Sequence, residues 1–234
     1  MTEVILEITY KGSLHMKILN THLIKISGIF LTACSLIACG GSSTDPDFVM
    51  EDASELSTAE KEGLLFMREE EELARDLYLD IYSGTGSTLE VFKNISNNGE
   101  TSHAEAIRQL LVDYDIDDPS TGQRNTYTDP ELQSLYDQLL NIALGSDDLA
   151  ALRVGALVEE SDIEDINFHK NLVSAEHQDI IQAYENLLCG SRNHLRSFAK
   201  NIENITGNTY QTQIPALDSE VRAILSSASE QCTP

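Results

Sequence analysis

The sequence predicts an all-α fold, on three observations. Residues 47–118 and 131–214 are two long stretches without proline. Within both, apolar residues recur at three- and four-residue spacing and show little alternation. Helix-start signals also stand where such segments should begin. Ser57-Thr58-Ala59-Glu60 has the form of a capping box, and Asp129-Pro130 sets an N-cap acid before a proline whose missing N–H a first helical turn tolerates. An all-β reading explains none of this.

The elements follow in order. Helix A should start after Ser57 and run to about Tyr82, where Gly84-Thr85-Gly86 stops it. A short helix over 88–95 precedes helix B, which should run from about Asn97 to Tyr114 and end before Asp117-Asp118-Pro119. After a polar loop over 116–129, Asp129-Pro130 opens a short helix to Leu144, which Gly145 ends. With Ser146 as cap, helix C is predicted over 147–168, and helix D over 173–204. Gly207 and Pro215 mark the end of the helical region, so the tail 206–234 should be extended or partly helical. Four long helices with a short one inside the B–C crossover make the ferritin-like four-helix arrangement, spanning 57–205.

The first 39 residues read as an address rather than as fold. Lys17 and Lys25 lead into an apolar run, Ile26–Ala38, too short to span a bilayer. It ends in Leu36-Ile37-Ala38-Cys39 and then Gly40-Gly41-Ser42-Ser43, which looks like a bacterial lipoprotein signal with Cys39 as the lipidated residue. Leu31-Thr32-Ala33-Cys34 also fits, but Cys34 would leave an apolar stub. Met16 is the better start, because two acids precede it where a signal wants basic charge. Residues 40–56 are a polar linker. These features predict an exported protein, anchored to the cell envelope by lipid alone. In that compartment Cys189 and Cys232 are candidates for a disulfide, the alternative being two free buried thiols.

Charge narrows the partners. With 15 basic and 39 acidic residues the formal net charge is −24, which repels polyanions and excludes nucleic acid. A metal ion is the expected partner, and a homo-oligomer is compatible with this chain. No glycine-rich phosphate loop, nucleophile elbow or Cys/His zinc spacing is present.

The chemistry-bearing residues lie on faces that should be core. Glu100-x-x-His103 puts both groups on the stripe of helix B formed by Ala106, Ile107, Leu110 and Tyr114. On helix A, Glu70 lies near the centre of the face Phe66, Leu73, Leu77 and Ile81, while Glu69 is about 90° away. On helix C, Glu159 and Glu160 both fall on or near the stripe of Leu149, Leu152, Ala156, Ile163 and Ile166, and the helical wheel does not choose between them. On helix D, His194 lines up with Ile180, Ala183, Leu187 and Phe198. Converging buried carboxylates repel unless a cation sits between them, and oxygen-rich ligands with two imidazoles suit iron or manganese. The competing expectation is that Arg68, Arg75, Arg153 and Arg192 satisfy these acids. His169 and His177, flanking the C–D turn, are expected at the surface, and the acid run Glu69–Glu72 as a solvated face. Tyr78, Tyr82, Tyr114 and Tyr184 are expected to serve mainly in packing.

Four blocks in order carry a resemblance: FMREEEELARDLY at 66–78, FKNI at 92–95 followed by ETSH at 100–103, VGALVEESDI at 154–163, and NLLCGSRNHLR at 186–196. Together they resemble a ferritin-like domain family of unassigned function, found in bacterial and archaeal proteins that are often exported. The resemblance covers about residues 57–210 and implies a four-helix, ferritin-like fold without an established activity. The broader di-iron pattern wants a second Glu-x-x-His on helix D, whereas Ser191 stands three before His194. The expected site is therefore Glu70, Glu100, His103, one or both of Glu159 and Glu160, and His194, holding iron as a dinuclear or single centre, or another metal such as manganese. The function this predicts is iron-dependent redox of ferroxidase or peroxidase type. The other class is a non-catalytic envelope lipoprotein for metal storage, sensing or partner binding.

Overall fold

The computed structural model describes residues 55–86 and 88–232. The leader, the alternative starts, Cys34, Cys39 and most of the linker lie outside the described residues. Among those described there is no β-strand, so the all-α expectation stands.

Helix α1 spans Thr58–Gly84, and its capping box is complete: Ser57 Oγ accepts the Glu60 N–H, and Glu60 Oε2 accepts the Ser57 N–H at 2.7 Å. Helices α2 (Glu90–Ile95) and α3 (Thr101–Asp113) are joined by a π-helical turn over Ser96–Glu100. The sequence separates these two helices, because nothing in residue spacing marks a wide turn. Helix α4 spans Pro130–Leu144, with Asp129 accepting the Glu131 and Leu132 N–H groups. Helix α5 spans Asp148–Lys170, and its cap is Asp147, one residue after the predicted Ser146. Helix α6 spans Gln178–Thr206, starting later than predicted because residues 171–177 form the turn from α5, and ends at Gly207 with φ 68°. Helix α7 covers Asp218–Ser226.

Helix α1 is the hub. It packs against α2, the π turn, α3, α4 and α5, while α5 lies along α6, and α6 also meets α2 and α3. An aromatic cluster ties these layers together: Tyr78, Phe92 and Phe198 are wholly buried, with ring centroids 5.1–5.5 Å apart. Two devices hold the tail. Cys189 and Cys232 form a disulfide, and Glu230 pairs with Arg192 and with Arg196 at 3.0 Å. No helix among the described residues is long and apolar enough to cross a membrane.

Candidate metal centre

Helices α1, α3, α5 and α6 and the π turn each direct a polar side chain into one interior space. Glu71 comes from α1, Glu100 from the end of the π turn, His103 from α3, Glu159 from α5 and His194 from α6. Glu71, Glu100 and Glu159 are each 1% exposed. His103 Nδ1 lies 3.2 Å from Glu71 Oε2 and 3.1 Å from Glu100 Oε2. His194 Nδ1 lies 2.9 Å from Glu100 Oε1 and 3.4 Å from Glu159 Oε2. Glu100 thus divides its two oxygens between the two imidazoles. The residues form two triads, Glu71–Glu100–His103 and Glu100–Glu159–His194, each offering ligand atoms within 4.8 Å of one another.

The histidines are placed by glycines on the opposite helix. A Cβ at Gly190 would run into His103 Nε2 and Cε1, and a Cβ at Gly99 would run into His194 Nε2 and Cε1. Each ring therefore has its Nε2 edge against a bare stretch of backbone and turns Nδ1 to the carboxylates. Tyr78 donates to Glu159 Oε1 at 2.6 Å, fixing that carboxylate from the aromatic side.

The electrostatics are those of a crowded acid cluster. Burial works against the charge of Glu100, but His194 and His103 prevail and hold it well below the ordinary carboxylate range. Burial would likewise neutralise His194, yet Glu100 and Glu159 raise it to about 10. His103 is raised well above its usual value against burial, by Glu71 and Glu100. Burial and Glu100 push Glu159 up to about 8, and burial and Asp162 push Glu71 well up. Glu71 Oε1, Glu100 Oε1 and His194 Nδ1 are buried without a hydrogen bond. The last two lie 2.9 Å apart and pair by charge, whereas Glu71 Oε1 has no hydrogen-bond partner. Such a donor set fits a metal ion.

Of the residues singled out in the sequence, the structure brings together Glu100, His103, Glu159 and His194. It does not bring in Glu70 or Glu160. Glu70 is buried beside Asp165 and Asp162, and burial together with these two acids pushes its carboxyl well up. Glu160 faces the tail, accepting from the Tyr210 hydroxyl at 2.7 Å and from the Gln213 and Ile214 N–H groups at 3.1 and 2.7 Å. The fold resolves Glu159 from Glu160 because one residue of helix turns the side chain through about 100°.

Glu71 is the residue the sequence reading passed over. Helix α1 is buried on two faces, one formed by Leu73, Leu77 and Ile81 and one by Leu64, Met67, Glu71, Ala74 and Tyr78. A single wheel sees only the first. The spacing Met67–Glu71–Ala74–Tyr78 is the signal that could have found it.

Three further expectations are corrected. The run Glu69–Glu71 is buried rather than solvated, with Glu69 accepting the Thr128 and Asp129 N–H groups. His169 and His177 are buried, not at the surface: His169 stacks near Phe66 and Phe168, burial lowering it to about 4, and His177 Nδ1 meets Glu60 Oε1 at 2.6 Å. The arginines pair elsewhere, Arg68 with Glu72 and Asp118, Arg75 with Asp76 and Glu72, and Arg192 with Glu230.

Fold and site together define an all-helical protein with a buried carboxylate–histidine cluster that could hold a metal. The chain belongs to the uncharacterised protein domain family DUF2202, which it matches over residues 60–228. It is 39% identical over 177 residues to the uncharacterised protein MJ0754 of Methanocaldococcus jannaschii, a match covering 75% of this chain and 91% of that protein. The crystal structure of the hypothetical protein MJ0754 superposes with a TM-score of 0.69, covering 76% of this chain and 97% of that one.

Proposed function

We propose that the two triads form one metal centre in a ferritin-like bundle, with Glu100 as the shared ligand. The observation that carries this is the convergence of three buried carboxylates and two imidazoles around Glu100, with Glu71 Oε1 left without a hydrogen bond. Burying unpaired carboxylates is costly, and a bound cation removes that cost. Oxygen-rich ligation with two imidazoles favours iron, with manganese next. Iron held this way supplies redox chemistry with oxygen or peroxide, which is the ferroxidase or peroxidase-type function we assign. Within this reading Glu71 and Glu159 would each hold the metal in one of the two triads. His103 and His194 supply nitrogen donors whose direction Gly190 and Gly99 fix, and Tyr78 orients Glu159. Three carboxylates and two imidazoles this deeply buried suit ions and small oxidants as substrates. The leader and Cys39 support export with a lipid anchor, in keeping with the Cys189–Cys232 disulfide.

The test is metal content and Fe²⁺ oxidation of the full chain beside a Glu100→Ala/His103→Ala variant. Bound iron and oxidation in the wild type, both lost in the variant, are expected. Bound metal with no turnover would leave a storage or sensing protein. No metal after anaerobic loading with Fe²⁺ or Mn²⁺ would remove the centre altogether.

A further inference from the structure

We infer that Asp162 is a fourth carboxylate ligand of the centre, held for a divalent transition-metal cation by Ser191. The inference rests on the metal-centre reading above and adds a residue to it.

The two glycine–histidine contacts are reciprocal. Gly99 stands four before His103 and receives the ring of His194, while Gly190 stands four before His194 and receives the ring of His103. The segments Gly99–His103 and Gly190–His194 are therefore counterparts across the site. In the first, the residue after the glycine is Glu100, the shared carboxylate. In the second it is Ser191, too short and uncharged to play that part.

A carboxylate arrives at that place from another helix. Asp162 lies three residues beyond Glu159 on α5, on the same face. The Ser191 hydroxyl is buried between the Leu187 carbonyl oxygen, 2.9 Å away, and Asp162 Oδ2. The other oxygen, Asp162 Oδ1, is buried and has no hydrogen-bond partner. Glu71, Glu100, Glu159, His103 and His194 all lie within electrostatic range of this carboxylate. Asp162 stands outside both triads, and Oδ1 is the atom left free for a cation.

Charge balance points the same way. Two divalent cations bring four positive charges into a site whose triads hold three carboxylates and two imidazoles. One charge would remain uncompensated in a buried, poorly screened place. Asp162 neutralises it.

The test is Mn²⁺ binding to the metal-free full chain, by equilibrium dialysis with electron paramagnetic resonance of the bound ions. The proteins are wild type, Asp162→Asn, Ser191→Ala, and the exchange variant Asp162→Ala/Ser191→Glu. Wild type should bind two Mn²⁺ as a magnetically coupled pair. Asp162→Asn should lose one or bind it at least about ten-fold more weakly, and Ser191→Ala should weaken the same step about ten-fold or more, as lost supporting contacts do. The exchange variant, which moves the carboxylate back to α6, should recover the pair. Asp162→Asn binding two ions as tightly as wild type would overturn the inference and leave the centre standing. Wild type binding none would overturn both. Should Asp162→Asn fail to fold, the exchange variant decides: recovery supports the inference, and a single ion overturns it.

Discussion

Glu60, Glu69 and Glu160 are buried much like Glu71, Glu100 and Glu159, yet their surroundings differ in kind. Each of the first three is met by backbone N–H groups at a connection between helices: Glu60 by Ser57 and Ser174, Glu69 by Thr128 and Asp129, and Glu160 by Gln213 and Ile214. Backbone donors cannot move away or be lost by substitution, so these acids act as clamps that need nothing else. The second three face the sides of neighbouring helices, where backbone N–H groups are already used within the helices themselves. They find only imidazoles, a tyrosine and one another. The helix face a buried acid occupies, and what packs against that face, therefore decides whether it stabilises this fold alone or depends on a ligand.

The largest expected effect breaks that dependence. With metal at about a thousand times its dissociation constant, binding should add about 4 kcal/mol to the wild type, and Glu100→Ala/His103→Ala should lose all of it. Melting with and without Mn²⁺ reads the difference. The same contrast predicts opposite signs for Glu→Gln without metal. Glu71→Gln should raise the melting temperature by removing a crowded acid, and a fall instead would place Glu71 among the clamps.

Glu60→Gln should cost about 1–3 kcal/mol at neutral pH, with or without metal. Burial opposes the Glu60 charge, but bonds from Ser57, Ser174 and His177 lower it from 4.5 to about 2. Its carboxylate therefore contributes fully above pH 4.5 and loses that contribution as pH falls toward 2. Denaturation curves of variant and wild type should converge over that interval. A gap that stays constant would show that charge on Glu60 is not what clamps the turn.

Glu160→Ala should cost about 1–2 kcal/mol, with the effect local to the tail. Hydrogen exchange at Gln213 and Ile214 should speed up while the amides of α1 and α3 keep their protection. The smallest effect is that of Tyr78→Phe, about 1 kcal/mol in metal-free stability, together with weaker metal binding. Unchanged binding would show that Tyr78 serves packing alone, as the sequence suggests.

Much of the fold was legible because its signals are local. Capping residues, prolines and apolar spacing gave the helices to within a few residues, and the disulfide candidates Cys189 and Cys232 do pair. The π turn was not legible, since Ser96–Glu100 carries no spacing rule of its own. Four of the five triad residues could be read from helix faces. Glu71 could not, because α1 is enclosed on two sides and a wheel ranks only one. His169 and His177 were misjudged because they flank a turn, and Glu69 because it belongs to a run of acids. Both features suggest solvent, whereas here the turns are where backbone groups fold inward to meet an acid, or where aromatic rings close over an imidazole.

The paired glycines make the two histidines interdependent. Because each glycine makes room for the histidine of the other segment, the four positions 99, 103, 190 and 194 form one packing unit although 91 residues separate its halves. Enlarging one glycine displaces a histidine on another helix, so a substitution in either half disturbs the ring that the other half contributes. Two Gly-x-x-x-His segments that far apart are a more selective mark of this arrangement than a lone Glu-x-x-His.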